Sequence, residues 1–265
     1  MSDLLAFDAA TGTWRPVLPA AGPPAVVSTP DAPTPDPAVA DSWLLQDGRS
    51  RRLDLHLARF AASCAETGAD PDELAAALAA LPAALPIEGV WFPRLDLRPD
   101  GALWLSLRRA PQRASTVAAW IRPGPDPRLM PRRKGPELGL LGALRVEAAR
   151  HGAQEAVLAD DDGRLLEGAY SSLLWWEEDT LCLLPDEAPV LPGITRRLLI
   201  DLAHDSGMPV RFARPRPDQL AGREAWLVSA LHGVRAVTAW VDGGPPAGSA
   251  VRAPAWQARL DAMMR

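Results

Sequence analysis

The stretch Pro131-Arg132-Arg133-Lys134-Gly135-Pro136-Glu137 carries the only lysine in 265 residues; every other permanently basic side chain is an arginine. Arginine stays protonated, whereas a lysine amine can lose its proton, act as a nucleophile and form a Schiff base with an aldehyde. In a chain rich in Ala, Arg and Pro, one retained lysine points to a task that a guanidinium cannot perform. The alternative is chance survival on a solvated basic stretch beside Arg132 and Arg133. The segments on either side decide between the two.

A hydrophobic fraction of 48% and a charged fraction of 23% belong to a globular protein with room for one large or two modest domains. The net charge is −5 and the arginines are scattered among acids, which argues against a nucleic-acid surface or an anionic membrane as partner. Cys64 and Cys182 stand apart in apolar surroundings with no second cysteine or histidine at ligand spacing, so they read as small core residues and no metal site is expected. Met1-Ser2-Asp3-Leu4-Leu5 lacks the basic and apolar regions of a secretory signal, and no apolar run could span a bilayer; the chain reads as cytoplasmic.

Phe7 to Trp14 reads as strand-turn-strand, and a proline-rich connector follows at about 19–37. Ser42 to Arg49 enters an Asp47-Gly48 turn with Arg52-Leu53 as the return. Asp54 is placed to cap a helix from Leu55 to about Thr67, and Pro71 opens a second helix that should break at Pro82. Strand-like runs follow at Gly89 to Leu97, Ala102 to Arg108 and Thr116 to Ile121. After Lys134 comes a helix from Leu138 to His151, then strands at Glu155 to Ala159 and Leu165-Leu166. Further strands are expected at Ser171 to Trp176, Leu181 to Leu184 and Val210 to Ala213, with a helix from Arg196 to Ser206. Glu224 to Ser229 and Val234 to Val241 complete the strands. The fold class is α+β, with a small N-terminal α/β domain at 1–112 and a larger C-terminal domain at 113–265.

Five blocks occur in order around the lysine: His56-Leu57-Ala58-Arg59-Phe60; Gly152-Ala153-Gln154-Glu155-Ala156; Asp162-Gly163-Arg164-Leu165-Leu166-Glu167-Gly168-Ala169; Leu191-Pro192-Gly193-Ile194-Thr195-Arg196; and Ser229-Ala230-Leu231-His232-Gly233-Val234. Together they resemble the class IV aminotransferase family, the fold-type IV enzymes of pyridoxal 5'-phosphate. That family includes branched-chain and D-amino-acid aminotransferases and aminodeoxychorismate lyase.

The resemblance implies a homodimer with the cofactor in the cleft between the two domains. Lys134 would hold the cofactor aldehyde as a Schiff base and then shuttle a proton. Glu167 would face the pyridine nitrogen. Arg59, the loop-to-helix segment Gly193-Ile194-Thr195 and the turn Ser229-Ala230-Leu231 would hold the phosphate. His56 would be structural, and Arg132 and Arg133 would either depress the lysine pKa or face solvent. The expected reaction is transamination between an amino acid or related amine and a 2-oxo acid. Release of pyruvate from aminodeoxychorismate, giving 4-aminobenzoate, is the alternative, and a catalytically inactive scaffold is a third reading. Ser172 stands where the family has asparagine, and Ala40-Asp41-Ser42-Trp43-Leu44 replaces a Gly-rich family segment, so the usual substrate-recognition residues do not carry over.

Overall fold

Leu95, Leu97, Leu103, Leu105 and Leu107 recur at every second position of two runs joined by Arg98-Pro99-Asp100-Gly101, a period that puts them all on one sheet face. In the computed structural model, which describes residues 3–17 and 36–265, that face is the core of the first of two compact units. This unit holds the described part of Met1–Arg49, Leu53–Arg109 and Lys134–Pro136. Apart from Asp36 and Pro37, the proline-rich connector lies outside the described residues.

Its strands are β1 (Asp3–Asp8), β2 (Thr13–Pro16), β3 (Val39–Ser42), β4 (Leu45–Gln46), β5 (Arg49–Ser50), β6 (Val90–Trp91), β7 (Arg94–Leu97) and β8 (Leu103–Leu107). Five of them form an antiparallel sheet in the order β2-β1-β8-β7-β3; β5, β4 and β6 form a small second one. The run expected from Gly89 to Leu97 is divided at Phe92-Pro93, because proline offers no N–H to a ladder. Helices α1 (Leu53–Ala65) and α2 (Pro71–Ala84) cover the apolar face through Phe60, Cys64, Leu74, Ala77 and Leu81.

Two helix expectations are corrected. α1 begins at Leu53, so Asp54 lies in its first turn and does not cap it. α2 runs through Pro82 to Ala84: Pro82 forgoes the bond to the Leu78 carbonyl, but only two helical residues follow it before the helix ends at extended Leu85, the residue before Pro86. At the other end Asp70 does cap, its carboxylate accepting from the N–H groups of Asp72 and Glu73 at 2.9 Å each.

The second unit comprises Ser50–Arg52, Ala110–Arg133 and Glu137–Arg265. Its strands are β9 (Thr116–Ile121), β10 (Glu155–Ala159), β11 (Leu165–Gly168), β12 (Ser172–Glu177), β13 (Thr180–Leu183), β14 (Val210–Phe212), β15 (Ala225–Ser229) and β16 (Gly233–Val241). They make one mixed sheet in the order β11-β10-β9-β16-β15-β12-β13-β14, with β9 parallel to both neighbours. Alternation along β10 sends Ala156 and Leu158 toward α3 (Leu138–Arg150) and Val157 and Ala159 into the core on the opposite face, so the strand is buried throughout. Helix α4 (Ile194–Asp205) starts two residues earlier than its apolar periodicity indicates. Cys64 and Cys182 are buried and in no disulfide, and burial pushes the Cys182 thiol up to about 11.

A C-terminal helix, α5 (Ala253–Asp261), has no counterpart in the sequence reading. Its first turn is held by buried Glu224, whose carboxylate accepts from the N–H groups of Val251, Arg252 and Ala253 at 2.9–3.1 Å and from Trp226 Nε1 at 2.9 Å. Trp256 of α5 then packs against Trp176 and Trp226, with ring centroids 5.3 and 5.7 Å away. No described helix is long and apolar enough to cross a membrane. Glu224→Ala removes the cap and strands a buried indole donor; we expect a loss of roughly 2–3 kcal/mol by urea denaturation.

Candidate active site

In the first unit the site is built on β3. The Ala40 N–H donates to the Lys134 carbonyl at 2.7 Å, which lays the lysine's backbone along the strand. Gly135, at φ +135°, permits this approach: a Cβ there would stand 2.7–2.8 Å from the backbone of Val39 and Ala40. The next residue of β3, Asp41, is fully buried and turns to the opposite face, toward α1. Its Oδ1 accepts from His56 Nδ1 at 2.8 Å and Arg59 Nη2 at 2.9 Å, and its Oδ2 from Arg59 Nε at 2.8 Å. Burial raises the Asp41 pKa, but the Arg59 guanidinium and His56 outweigh it and hold the carboxyl well below the usual range. Arg59 is therefore a clamped, mostly buried arginine with its fork fixed by a carboxylate, and His56 takes the structural place expected of it.

In the second unit the end of β11 supplies Glu167, 4% exposed. Its Oε1 accepts from Arg128 Nη1 and from the Leu191 N–H, each at 2.8 Å, and Oε2 makes no hydrogen bond among the described residues. Asp126 grips Arg128 from the other side, Oδ2 accepting from Nη2 at 2.8 Å. Burial pushes the Glu167 pKa up, and the opposing pull of Arg128 and the Leu191 N–H leaves it raised. Arg128 loses by desolvation but gains more from Asp126 and Glu167, so its proton is held more tightly than usual. Glu137 fastens the loop that follows: its oxygens accept the Leu129 N–H at 2.6 Å and the Met130 N–H at 3.0 Å. Arg132 is turned onto the carbonyls of Asp186 and Ala188, a third outcome beside the two expected for it.

Leu191 leads directly into Pro192-Gly193 and the start of α4. Gly193 has no side-chain cap to offer, and the N–H groups of Ile194 and Thr195 donate to nothing among the described residues. Thr195 is a buried residue whose hydroxyl makes no hydrogen bond among the described residues. A Cβ on Gly193 would stand 2.6 Å from Ser172 Oγ, so a side chain there would displace that hydroxyl. Ser172 pairs with Val228, and one residue further β15 ends in the Ser229-Ala230-Leu231 turn, where the Ala230 and Leu231 N–H groups are also undonated. The second unit thus joins Glu167, the 193–195 segment and the 229–231 turn at one end of its sheet; Lys134 and Arg59 belong to the first unit.

The family model for amino-transferase class IV matches residues 38–240. The chain belongs to that family. It is 34% identical over 111 residues to the branched-chain-amino-acid aminotransferase of Escherichia coli (strain K12), a match covering 41% of this chain and 33% of that protein, so about a third of the relative's length. A Mycobacterium tuberculosis protein described as a hypothetical aminotransferase, in PLP-bound form, superposes with a TM-score of 0.77 at 20% identity, over 99% of this chain and 98% of that one. A Legionella pneumophila protein assigned as 4-amino-4-deoxychorismate lyase gives 0.72 at 16% identity, over 89% and 96%. These two share the α+β fold of the class IV family with this chain.

Class IV aminotransferases use pyridoxal phosphate, and the groups present here fit it. A buried carboxylate with one open oxygen suits a ring nitrogen. Unpartnered N–H groups at a helix N-terminus, with the Thr195 hydroxyl beside them, suit a phosphate. What the sequence did not disclose is the support: Asp41 and Arg128 act across 15 to 39 residues, and Asp126 and Glu137 brace the loop between them without a local motif. Among the described residues no cluster of His, Cys, Asp or Glu could hold a metal ion.

Two measurements probe this framework. Asp41→Ala leaves His56 and Arg59 buried without their acceptor and is expected to cost about 3–5 kcal/mol in urea denaturation. His232 accepts the Ala114 N–H at Nδ1 (3.0 Å), and burial, then Arg235, Arg145 and Arg113, push its pKa down from 6.5 to about 4. The unfolded imidazole protonates first as pH falls, so the stability tied to its neutral form is complete above pH 6.5 and lost on descending to about 4. Over that window wild type should lose more stability than His232→Gln.

Proposed function

We propose that this chain is a pyridoxal-phosphate-dependent aminotransferase that moves an amino group from an amino acid or related amine to a 2-oxo acid. The observation that carries the reading is the acid Glu167, buried with one oxygen committed to Arg128 and Leu191 and the other open, beside two loops of unpartnered N–H donors. Bound pyridoxal phosphate supplies an electron-accepting ring that stabilises the charge left when a substrate loses its α-proton.

The chain's own residues do the rest. Lys134, the only side-chain amine, would hold the cofactor and would carry the α-proton on Nζ. Glu167, its Oε1 engaged by Arg128 and the Leu191 N–H, would face the ring nitrogen with Oε2. Arg59 offers a guanidinium whose direction Asp41 fixes, and the N–H groups of Ile194, Thr195, Ala230 and Leu231 receive the phosphate oxygens, with the Thr195 hydroxyl and Gly193 and Ser229 shaping those loops. Family membership alone leads us to expect a homodimer.

One observation favours a second reading, release of pyruvate from aminodeoxychorismate. Ser42 places a buried hydroxyl at the end of β3, near where that enzyme's family has a threonine, and its partner Arg108 Nη2 is a distant 3.5 Å. An assay of pyruvate release from aminodeoxychorismate against amino transfer to a panel of 2-oxo acids separates the two; pyruvate without any half-transamination would overturn the aminotransferase reading. Purified wild type should take up pyridoxal phosphate with a yellow absorbance that Lys134→Ala abolishes, while a colourless wild type would leave only an inactive scaffold. Glu167→Gln should keep the colour and lower turnover by about a hundredfold.

A further inference from the structure

The turn from β15 to β16 is gripped from its carbonyl side by the C-terminal helix. Arg51 Nη1 points at the Ala230 carbonyl from 3.5 Å and Arg113 Nη2 at the His232 carbonyl from 3.4 Å. Both guanidiniums meet Oδ1 of Asp261, the last residue of α5, at 3.1 and 3.0 Å. One turn earlier on α5, Gln257 Oε1 accepts the Val234 N–H at 2.7 Å, and its amide occupies the space a Cβ would take on Gly233, at φ +72°. Beyond α5 the chain returns to the same place, as Ser50 and Arg265 exchange backbone hydrogen bonds at 3.0 and 3.2 Å.

Two features of this cluster exceed what anchoring a helix requires. Two guanidiniums share one carboxylate, leaving net positive charge beneath the turn, and Arg51 is buried to 5% exposure, a costly place for a cation. The Leu231 N–H, attached to the carbonyl that Arg51 faces, donates to nothing among the described residues. In a trans peptide C=O and N–H point in opposite directions, so a cation on the Ala230 oxygen turns the Leu231 N–H outward and makes it a stronger donor.

We propose that Arg51, held together with Arg113 by Asp261, is a positioning residue that aims and polarises the Leu231 N–H at a bound phosphate group. The proposal rests on the cofactor reading above. Arg51 reaches the phosphate only through the 230–231 peptide, Asp261 only through Arg51, and Arg113, on the 232–233 peptide, only through Asp261.

The test is a titration of apo-protein with pyridoxal phosphate and, separately, with pyridoxal, which lacks the phosphate, following the yellow absorbance and the displacement of pyridoxal phosphate by inorganic phosphate. Arg51→Gln and Asp261→Asn are compared with Arg259→Gln, which removes an α5 arginine bound instead to Leu202 and Ser206. The first two should weaken pyridoxal phosphate roughly five- to tenfold and inorganic phosphate by a similar factor, with pyridoxal unchanged. Arg259→Gln should show no phosphate-specific change. Equal weakening of both ligands would reduce the network to a structural role, and unchanged affinities would overturn it outright. A wild type that colours with neither ligand would overturn the cofactor reading itself, a result distinct from a wild type that binds normally while the variants match it.

Discussion

Glu167 leaves water at the end of β11 and finds its counter-charge 39 residues earlier in the chain, on Arg128, and a peptide donor 24 residues later, at Leu191. A carboxylate at 4% exposure is costly without such partners, and supplying them fixes two loops at once. One loop leads to Lys134; the other leads into Gly193 and the bare start of α4. The electrostatic need of one side chain thus determines where the segments carrying chemistry run.

The same device recurs. Asp41 joins β3 to α1 through His56 and Arg59. Glu155, buried on β10, accepts from Arg235 Nη2 at 2.6 Å, Ser171 Oγ at 3.2 Å and the Tyr170 N–H at 3.2 Å, drawing β16 and the Tyr170-Ser171 turn together. Glu224 fastens α5. Each acid accepts three or more hydrogen bonds from segments distant in sequence or, for Glu167, two such bonds with an oxygen to spare. These contacts are individually modest in net stability but expensive to break on one side, which makes them guides to register as much as sources of free energy.

That division also explains what could be read from residues alone. The strands announced themselves by period-two leucines and by turns such as Asp47-Gly48 and Asp100-Gly101, and the blocks around Lys134 were recognisable because their glycines and prolines impose local geometry. α2 passes Pro82, a breaker by type, because the lost bond falls where only two helical residues remain. α5 left no mark: nine residues containing Pro254, with a weak apolar stripe, are held by Glu224 and by tryptophans far away in sequence. Asp41, Arg128 and Asp261 were silent for the same reason, since a charge pair has no period and no fixed spacing.

The close seat of Gly135 on β3 has a bearing on how this chain tolerates change. Backbone atoms, not a movable side chain, fill the space a substituent would need, so position 135 is closed to variation by selection or by library design. Six residues earlier, Leu129 is 88% exposed and is tied to Glu137 through its N–H, with its side chain in solvent. Diversity in the approach to Lys134 can therefore accumulate on one side of the lysine and not on the other.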